Sequence, residues 1–231
     1  MDKKTNTSVA DDDRPVAIAV WDFPTRLFHW LLVVLATVSF TTGGIGGNAM
    51  PYHEWSGFAI LILLVFRITW GFIGSRTSRF SDFAKGPVAV WRYATTLVKG
   101  NSECYLGHNP LGGWSVLAML LALLIQAATG LFANDDIISE GPLYLWVSAP
   151  VSDWLTAVHR LNRYLIMVLV ATHVSAVLFY LWVKHENLIQ PMINGIKYRL
   201  GGETAPPDAP IWLAAVSAAA AGFLLYLMVY W

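Results

Sequence analysis

The chain reads as five long apolar stretches separated by shorter polar segments, at roughly 27–46, 54–74, 113–133, 156–182 and 210–231. A hydrocarbon core about 30 Å thick needs about 20 apolar residues per helical crossing, and each stretch meets that length. No segment alternates apolar and polar residues over the ten or so positions that a lipid-facing barrel strand requires, so the crossings are predicted to be helices. The expected fold class is all-α, an integral membrane helical bundle.

Local signals set the boundaries of these helices. In Trp21-Asp22-Phe23-Pro24-Thr25-Arg26 a capping carboxylate precedes a proline placed where a missing N–H costs nothing. Asn109-Pro110 repeats the device ahead of the third stretch. Gly201-Gly202 and the prolines at 206, 207 and 210 break the chain between the fourth and fifth stretches. The division that follows is a polar tail over 1–20, a membrane domain over 21–200, and a Gly/Pro linker with a fifth helix over 201–231, the last expected to be peripheral. The tail, with Asp11, Asp12 and Asp13 in a run, offers little to bury. No small-residue cleavage site follows a short apolar core, so the first helix is expected to be retained.

Composition agrees with the pattern: 56% of the residues are hydrophobic and 13% charged, with a mean hydropathy of +0.52. The formal net charge is zero, which provides no basic excess for nucleic acid. A single cysteine, Cys104, excludes an internal disulfide, an iron–sulfur cluster made by this chain alone and a CxxCH haem attachment. Any haem must be held non-covalently.

The distribution of charge carries more than its sum. Twelve of the 15 basic residues fall in the tail (Lys3, Lys4, Arg14, Arg26), in the loop after the second stretch (Arg76, Arg79, Lys85, Arg92, Lys99) or after the fourth (Lys184, Lys197, Arg199). The segments 47–53 and 134–155 hold none, although the second carries Asp135, Asp136, Glu140 and Asp153. Short cytoplasmic loops are enriched in Lys and Arg, so the N-terminus is expected in the cytoplasm and the C-terminus in the periplasm.

Under that orientation four of the six histidines pair by depth. His159 and His173 share the fourth stretch 14 residues apart, a rise of about 21 Å and a rotation roughly 40° short of four turns, so both rings face one way. His159 lies near the outer surface and His173 near the inner one. His29 opens the first stretch on the inner side, and His53 opens the second on the outer side. His29 with His173, and His53 with His159, are therefore placed to clasp two flat macrocycles stacked along the membrane normal, each iron held by two neutral imidazoles. Taken alone, a membrane histidine is as well explained by packing or a proton relay; the pairing under an independently derived orientation is what favours haem.

Neighbouring residues fit the same levels. Gly43 lies 14 residues beyond His29 and would let a rigid ring approach the backbone at the outer level. Haem propionates are carboxylates, and a guanidinium fork suits them. Arg26 and Arg67 could serve the inner group, and Arg160 with Arg163 the outer one, although interfacial snorkelling explains Arg163 nearly as well. His108 and His185 stand outside the pairs and are expected to be loop or interface residues. Residues 142–147 read as an apolar interfacial segment over the outer haem, with partner docking as the alternative.

Several motifs resemble the bacterial cytochrome b561 family, which includes the b-type cytochrome subunit of nickel–iron hydrogenases. They are Val20-Trp21-Asp22-Phe23-Pro24-Thr25-Arg26-Leu27-Phe28-His29-Trp30, His53-Glu54-Trp55-Ser56-Gly57, Phe66-Arg67-Ile68-Thr69-Trp70-Gly71-Phe72-Ile73-Gly74, Gly107-His108-Asn109-Pro110-Leu111-Gly112-Gly113, and His159-Arg160-Leu161-Asn162 with His173. The similarity covers about 16–200. It implies a four-helix di-haem core with His29, His53, His159 and His173 as ligands of two haem b groups, in the inner membrane of a bacterium. The fifth C-terminal transmembrane helix is additional to that core.

The resemblance implies electron exchange between quinone in the bilayer and a periplasmic redox partner, a c-type cytochrome or a hydrogenase. A quinone pocket is expected on the inner side, near Arg67. Two other readings stand beside it: a stand-alone superoxide:quinone oxidoreductase, and a non-redox membrane anchor or transporter whose histidines handle protons or metal. Whether the chain is itself an enzyme, its oligomeric state and the direction of electron flow are left open by the residues.

Overall fold

A computed structural model of the chain describes residues 16–99, 105–135, 139–199 and 209–230. Most of the polar tail, Cys104, Asp136 and the linker through 208 lie outside the described residues. A short strand, β1 (Val16–Ala19), leads into helix α1 (Phe23–Ile45), a 3-10 turn at Gly47–Ala49, and α2 (Met50–Ile73). Two shorter helices, α3 (Phe80–Phe83) and α4 (Pro87–Val98), occupy the basic loop. The chain then forms α5 (Pro110–Gly130), α6 (Ala149–Trp182), α7 (Ile189–Asn194), strand β2 (Ile196–Arg199) and α8 (Ile211–Tyr230).

The first four apolar stretches become α1, α2, α5 and α6, each long and apolar enough to cross a membrane. The fifth becomes α8, whose 20 residues rise about 30 Å. The chain is an integral membrane helical bundle. Helix α6 starts at Ala149, earlier than the apolar stretch, because Pro150 occupies its first turn, where no intrahelical N–H is needed. With 34 residues it rises about 51 Å and so extends beyond a hydrocarbon core of about 30 Å.

Helix α1 packs along α2, and α5 along α6, with α2 and α5 joining the two pairs. The outward faces of α1 and α6 are apolar: Val33, Val34 and Val38 on one, Leu165, Met167 and Val168 on the other. In water such surface would aggregate; in lipid it is at no disadvantage. Helix α8 runs along α2, and its Ala214 joins Phe28, Phe66 and Trp70 in a buried cluster. The fifth helix is thus more intimately packed than the Gly/Pro break suggested, because small alanines let the two backbones approach.

The capping expected from sequence is present. Asp22 accepts from Thr25 N–H at 2.7 Å, and Asn109 Oδ1 accepts from Gly112 N–H at 2.7 Å. Asp22 does more than cap: it also accepts from Trp70 Nε1–H at 3.0 Å, from Ser78 at 3.1 Å and from the Ser75 hydroxyl. Burial alone would raise its pKa, but hydrogen bonds from Ser75, Thr25 and Trp70 outweigh this and hold the carboxyl below the usual range. The N-terminal end of α1 is fastened further by β1, antiparallel to β2 with Val16 opposite Arg199 and Ala19 opposite Ile196. Val20 and Trp21 N–H both donate to the Gly195 carbonyl. Gly195 itself has φ +83°, and a Cβ there would sit 2.8 Å from the Trp21 carbonyl, so glycine is required on both counts.

Candidate functional site

The four spans bring the predicted histidines together as two couples. The His29 and His173 rings, from α1 and α6, have centroids 6.5 Å apart with planes at 56°. The His53 and His159 rings, from α2 and α6, are 6.0 Å apart at 84°. An imidazole nitrogen binds a metal at about 2 Å and lies about 1 Å from its ring centre, so two imidazoles on opposite sides of one metal place their centres roughly 6 Å apart. Both couples have that spacing. Among the described residues no three His, Cys, Asp or Glu side chains converge as a metal-ion site, and these imidazoles come two by two.

Hydrogen bonds orient the His53–His159 couple, the outer one under the orientation expected from loop charge. His53 Nδ1 lies 2.9 Å from the Ser39 carbonyl and 3.2 Å from the Ser39 hydroxyl. His159 Nδ1 lies 2.9 Å from the Gln126 carbonyl and 3.3 Å from Thr129 Oγ1. A carbonyl only accepts, so each Nδ1 carries the proton and each Nε2 keeps its lone pair for a metal. Glycines shape the same level: a Cβ at Gly43 would lie 2.7 Å from His53 Nδ1, and one at Gly130 would lie 3.0 Å from His159 Cε1. Gly43 thus underlies an imidazole ring. A cavity lined by Ser39, His53, Glu54, Gln126, Gly130 and His159 opens here and is bounded by Gly141 and Pro142, the latter the one residue of the 142–147 segment that lines it.

The His29–His173 couple, the inner one under the same expectation, is built differently. His29 Nδ1 has no hydrogen-bond partner. Arg67 is 3% exposed and lies over the rings of Phe80 and Phe83, 5.3 and 5.8 Å from their centroids. Its Nη1 is also unpartnered. Arg26 donates to the Ile193 carbonyl at 2.5 Å while its Nε has no partner. The structure therefore brings Arg26 and Arg67 to the inner end. It sets Arg160 and Arg163 in a cleft beside the outer couple, with Asn134, Asp153, Thr156 and Tyr164, and Arg163 donates to the Tyr164 hydroxyl at 2.7 Å.

Sequence reasoning missed Gly130, Ser39, Gln126, Asn162 and the enclosed position of His108. Asn162 donates to the Gln126 side chain and to the Ala122 carbonyl, tying α6 to α5 beside His159. The signal available for Gln126 and Asn162 was their polarity inside apolar spans. His108, expected in a loop, lies between Trp21 and Phe83, at 4.6 and 4.9 Å between ring centroids. Burial first, then the positive charge of Arg67, pushes its pKa down to about 3, leaving a neutral ring. His185 has φ +55° and joins neither couple.

The model of one protein family, described as prokaryotic cytochrome b561, matches residues 20–195. The chain belongs to the prokaryotic cytochrome b561 family. Its curated relatives include the "Probable Ni/Fe-hydrogenase 1 B-type cytochrome subunit" of Escherichia coli (strain K12), 26% identical over 226 residues, covering 80% of this chain and 92% of the relative. The "Probable Ni/Fe-hydrogenase B-type cytochrome subunit" of Rhizobium leguminosarum bv. viciae is also 26% identical, over 217 residues, covering 78% and 88%. The similarly named protein of Cupriavidus necator is 23% identical over 227 residues, covering 82% and 91%. No solved structure matches the chain.

Membership in the cytochrome b561 family makes this a membrane electron-transfer protein with haem b as its cofactor. The residues present fit that group. Imidazoles face each other at the spacing a metal between them needs, and Arg26 and Arg67 at the level of the inner couple each keep an enclosed donor nitrogen without a partner, which an acidic group would satisfy.

Proposed function

We propose that this b561-family chain carries two haem b groups, one held by His29 and His173 and one by His53 and His159, and moves electrons between a hydrogenase or c-type cytochrome in the periplasm and quinone in the bilayer. The observation that carries the reading is the pairing itself: the same two couples inferred from depth face each other at 6.5 and 6.0 Å. Haem b between two imidazoles exchanges a single electron without changing its ligands, which is the chemistry a conduit needs.

The chain's own residues do the holding and the biasing. The Ser39 and Gln126 carbonyls accept hydrogen bonds from the Nδ1–H groups of His53 and His159 and so keep the opposite nitrogens free. Arg26 and Arg67 offer positive charge to propionates at the inner level, and Arg160 with Arg163 to those at the outer level. Gly43 and Gly130 make room for the two outer rings. A quinone is read as docking on the inner side near Arg67. The hydrogenase partner is supported by the names of the relatives, and the inner membrane with a cytoplasmic N-terminus by the basic loops.

A pyridine haemochrome assay on the purified chain should give two haem b per 25.6 kDa, with a low-spin reduced-minus-oxidised spectrum. His159→Ala and His173→Ala should each remove one low-spin component. One haem or none in the native chain, or an intact low-spin spectrum in both variants, would overturn the reading. Co-purification of a hydrogenase from native membranes would identify the periplasmic partner.

A further inference from the structure

Four enclosed side-chain nitrogens lack a hydrogen-bond partner among the described residues: Arg26 Nε, His29 Nδ1, Arg67 Nη1 and His108 Nδ1. All four belong to the inner end of the bundle. The outer couple has no such deficit, since both of its Nδ1 atoms meet carbonyl oxygens. An enclosed donor left unmatched costs about 1–3 kcal/mol, and more when it is charged. The two guanidinium nitrogens are always donors, and each imidazole nitrogen is one in the tautomer that carries its proton there, so this level calls for an acceptor that the described residues do not supply.

The surroundings bear this out. Asp22 is the carboxylate whose charge reaches Arg67, but its oxygens already accept from Thr25, Trp70, Ser75 and Ser78. Neither ion pair among the described residues involves Arg67. A guanidinium 3% exposed that forms no ion pair among the described residues is costly to bury. His108 lies within electrostatic reach of Arg67, His173 and His29, and Phe83 forms a wall common to the His108 ring and the Arg67 guanidinium. The loop holds the ring firmly. Trp21 packs on it, and the next residue, Asn109, both caps α5 and donates to the Tyr180 hydroxyl at 2.9 Å. A histidine serving only as core would have its polar atoms matched; this one keeps an enclosed nitrogen unmatched within electrostatic reach of a guanidinium whose Nη1 is also unmatched.

We propose that His108 joins Arg67 in binding a carboxylate of the haem seated at the inner histidine couple, an inference that rests on the two-haem reading above. His108 is then a cofactor-binding residue at the acidic edge of the group, not a ligand of its iron. The imidazole N–H and the free arm of the guanidinium converge on one carboxylate and neutralise it in a place where water cannot.

The test uses the intact haem-loaded protein, grown so that the haem side-chain carboxyls carry carbon-13, and reads redox titrations and reduced-minus-oxidised infrared spectra. His108→Phe keeps an aromatic ring between Trp21 and Phe83 but removes the donor; His108→Gln restores one. Losing the donor leaves the carboxylate more negative toward the iron and favours the oxidised state. His108→Phe is therefore expected to lower the reduced-to-oxidised ratio of one haem about tenfold at fixed potential, about 59 mV for one electron, and to move the labelled carboxylate band. The other haem stays unchanged, and His108→Gln returns both readings toward the native values. Arg67→Lys is expected to move the same band and serves if the Phe variant does not accumulate. An unmoved labelled band with unchanged potentials overturns the proposal, as does a change that appears only when short-chain ubiquinone is added, because the acceptor is then the quinone. Fewer than two haems in the native protein sinks the two-haem reading first, and this inference with it.

Discussion

Single residues at the outer level do two things at once. Gly43 and Gly130 each lie under a histidine ring, and the Nδ1 proton of each histidine is fixed by a main-chain carbonyl. A methyl group at Gly43 would push the His53 ring off the Ser39 carbonyl. Gly43→Ala is accordingly expected to reduce haem content from two toward one per chain while the inner component persists. Gly44→Ala, where the added carbon meets nothing within 4 Å, is expected to leave the spectrum unchanged. Haemochrome quantification of the two variants side by side checks the pair.

Asp22 offers a second residue-scale test, of stability. Replacing it by Asn keeps one acceptor but turns an NH2 group toward donors, stranding Trp70 Nε1–H or a serine hydroxyl at a cost of about 1–3 kcal/mol. The native carboxyl is held below its ordinary value of 3.8, so folding is favoured by its ionised form. That contribution is complete above the ordinary value and is lost as the pH falls through the lowered native one. Thermal melts in detergent should show the native protein losing stability on acidification across that window, with Asp22→Asn starting lower at neutral pH and changing less.

The helices show how far local pattern carries. Four apolar stretches, two capping residues and the heptad-like spacing of His159 and His173 were legible because span length, caps and rotation per residue are properties of the chain near itself. The partner of each imidazole's other nitrogen was not legible, because Ser39 and Gln126 act through main-chain oxygens that every residue possesses. The packing of α8 was equally hidden, since a uniformly apolar helix with many alanines has no distinctive face. In the folded chain Ala214 meets the Phe28, Phe66 and Trp70 cluster. Removing residues 209–231 is expected to leave both haem signals in place but lower the melting temperature by several degrees, as follows from uncovering Phe66 and Trp70 on α2. Loss of a haem on truncation would instead make α8 part of the cofactor site.

At the scale of the whole molecule the two ends are unlike. The outer histidines donate to carbonyls, which on the proposed two-haem reading would make them more basic ligands and favour oxidised iron. The inner couple has no such bond at His29 Nδ1 and has the buried Arg67 guanidinium at its level, which on the same reading favours reduced iron. Redox titration should therefore resolve two components, the inner at the higher potential, and Arg67→Leu should lower that component by tens of millivolts with little effect on the other. Equal potentials, or a shift confined to the lower component, would show that the asymmetry of hydrogen bonds and charge does not set the potentials.

From sequence alone came the membrane class, the helix ends, the two levels and the identity of the four imidazoles that meet. Each of these depends on hydropathy and helical periodicity, which act over neighbouring residues. Tertiary structure alone decided which polar atoms are matched and which are not: the carbonyls at Ser39 and Gln126, the glycine beneath each outer ring, the enclosure of His108 and Arg67. Hydrogen-bond satisfaction is settled only when helices far apart in the chain are packed together, because it depends on the particular atoms that each polar group then faces.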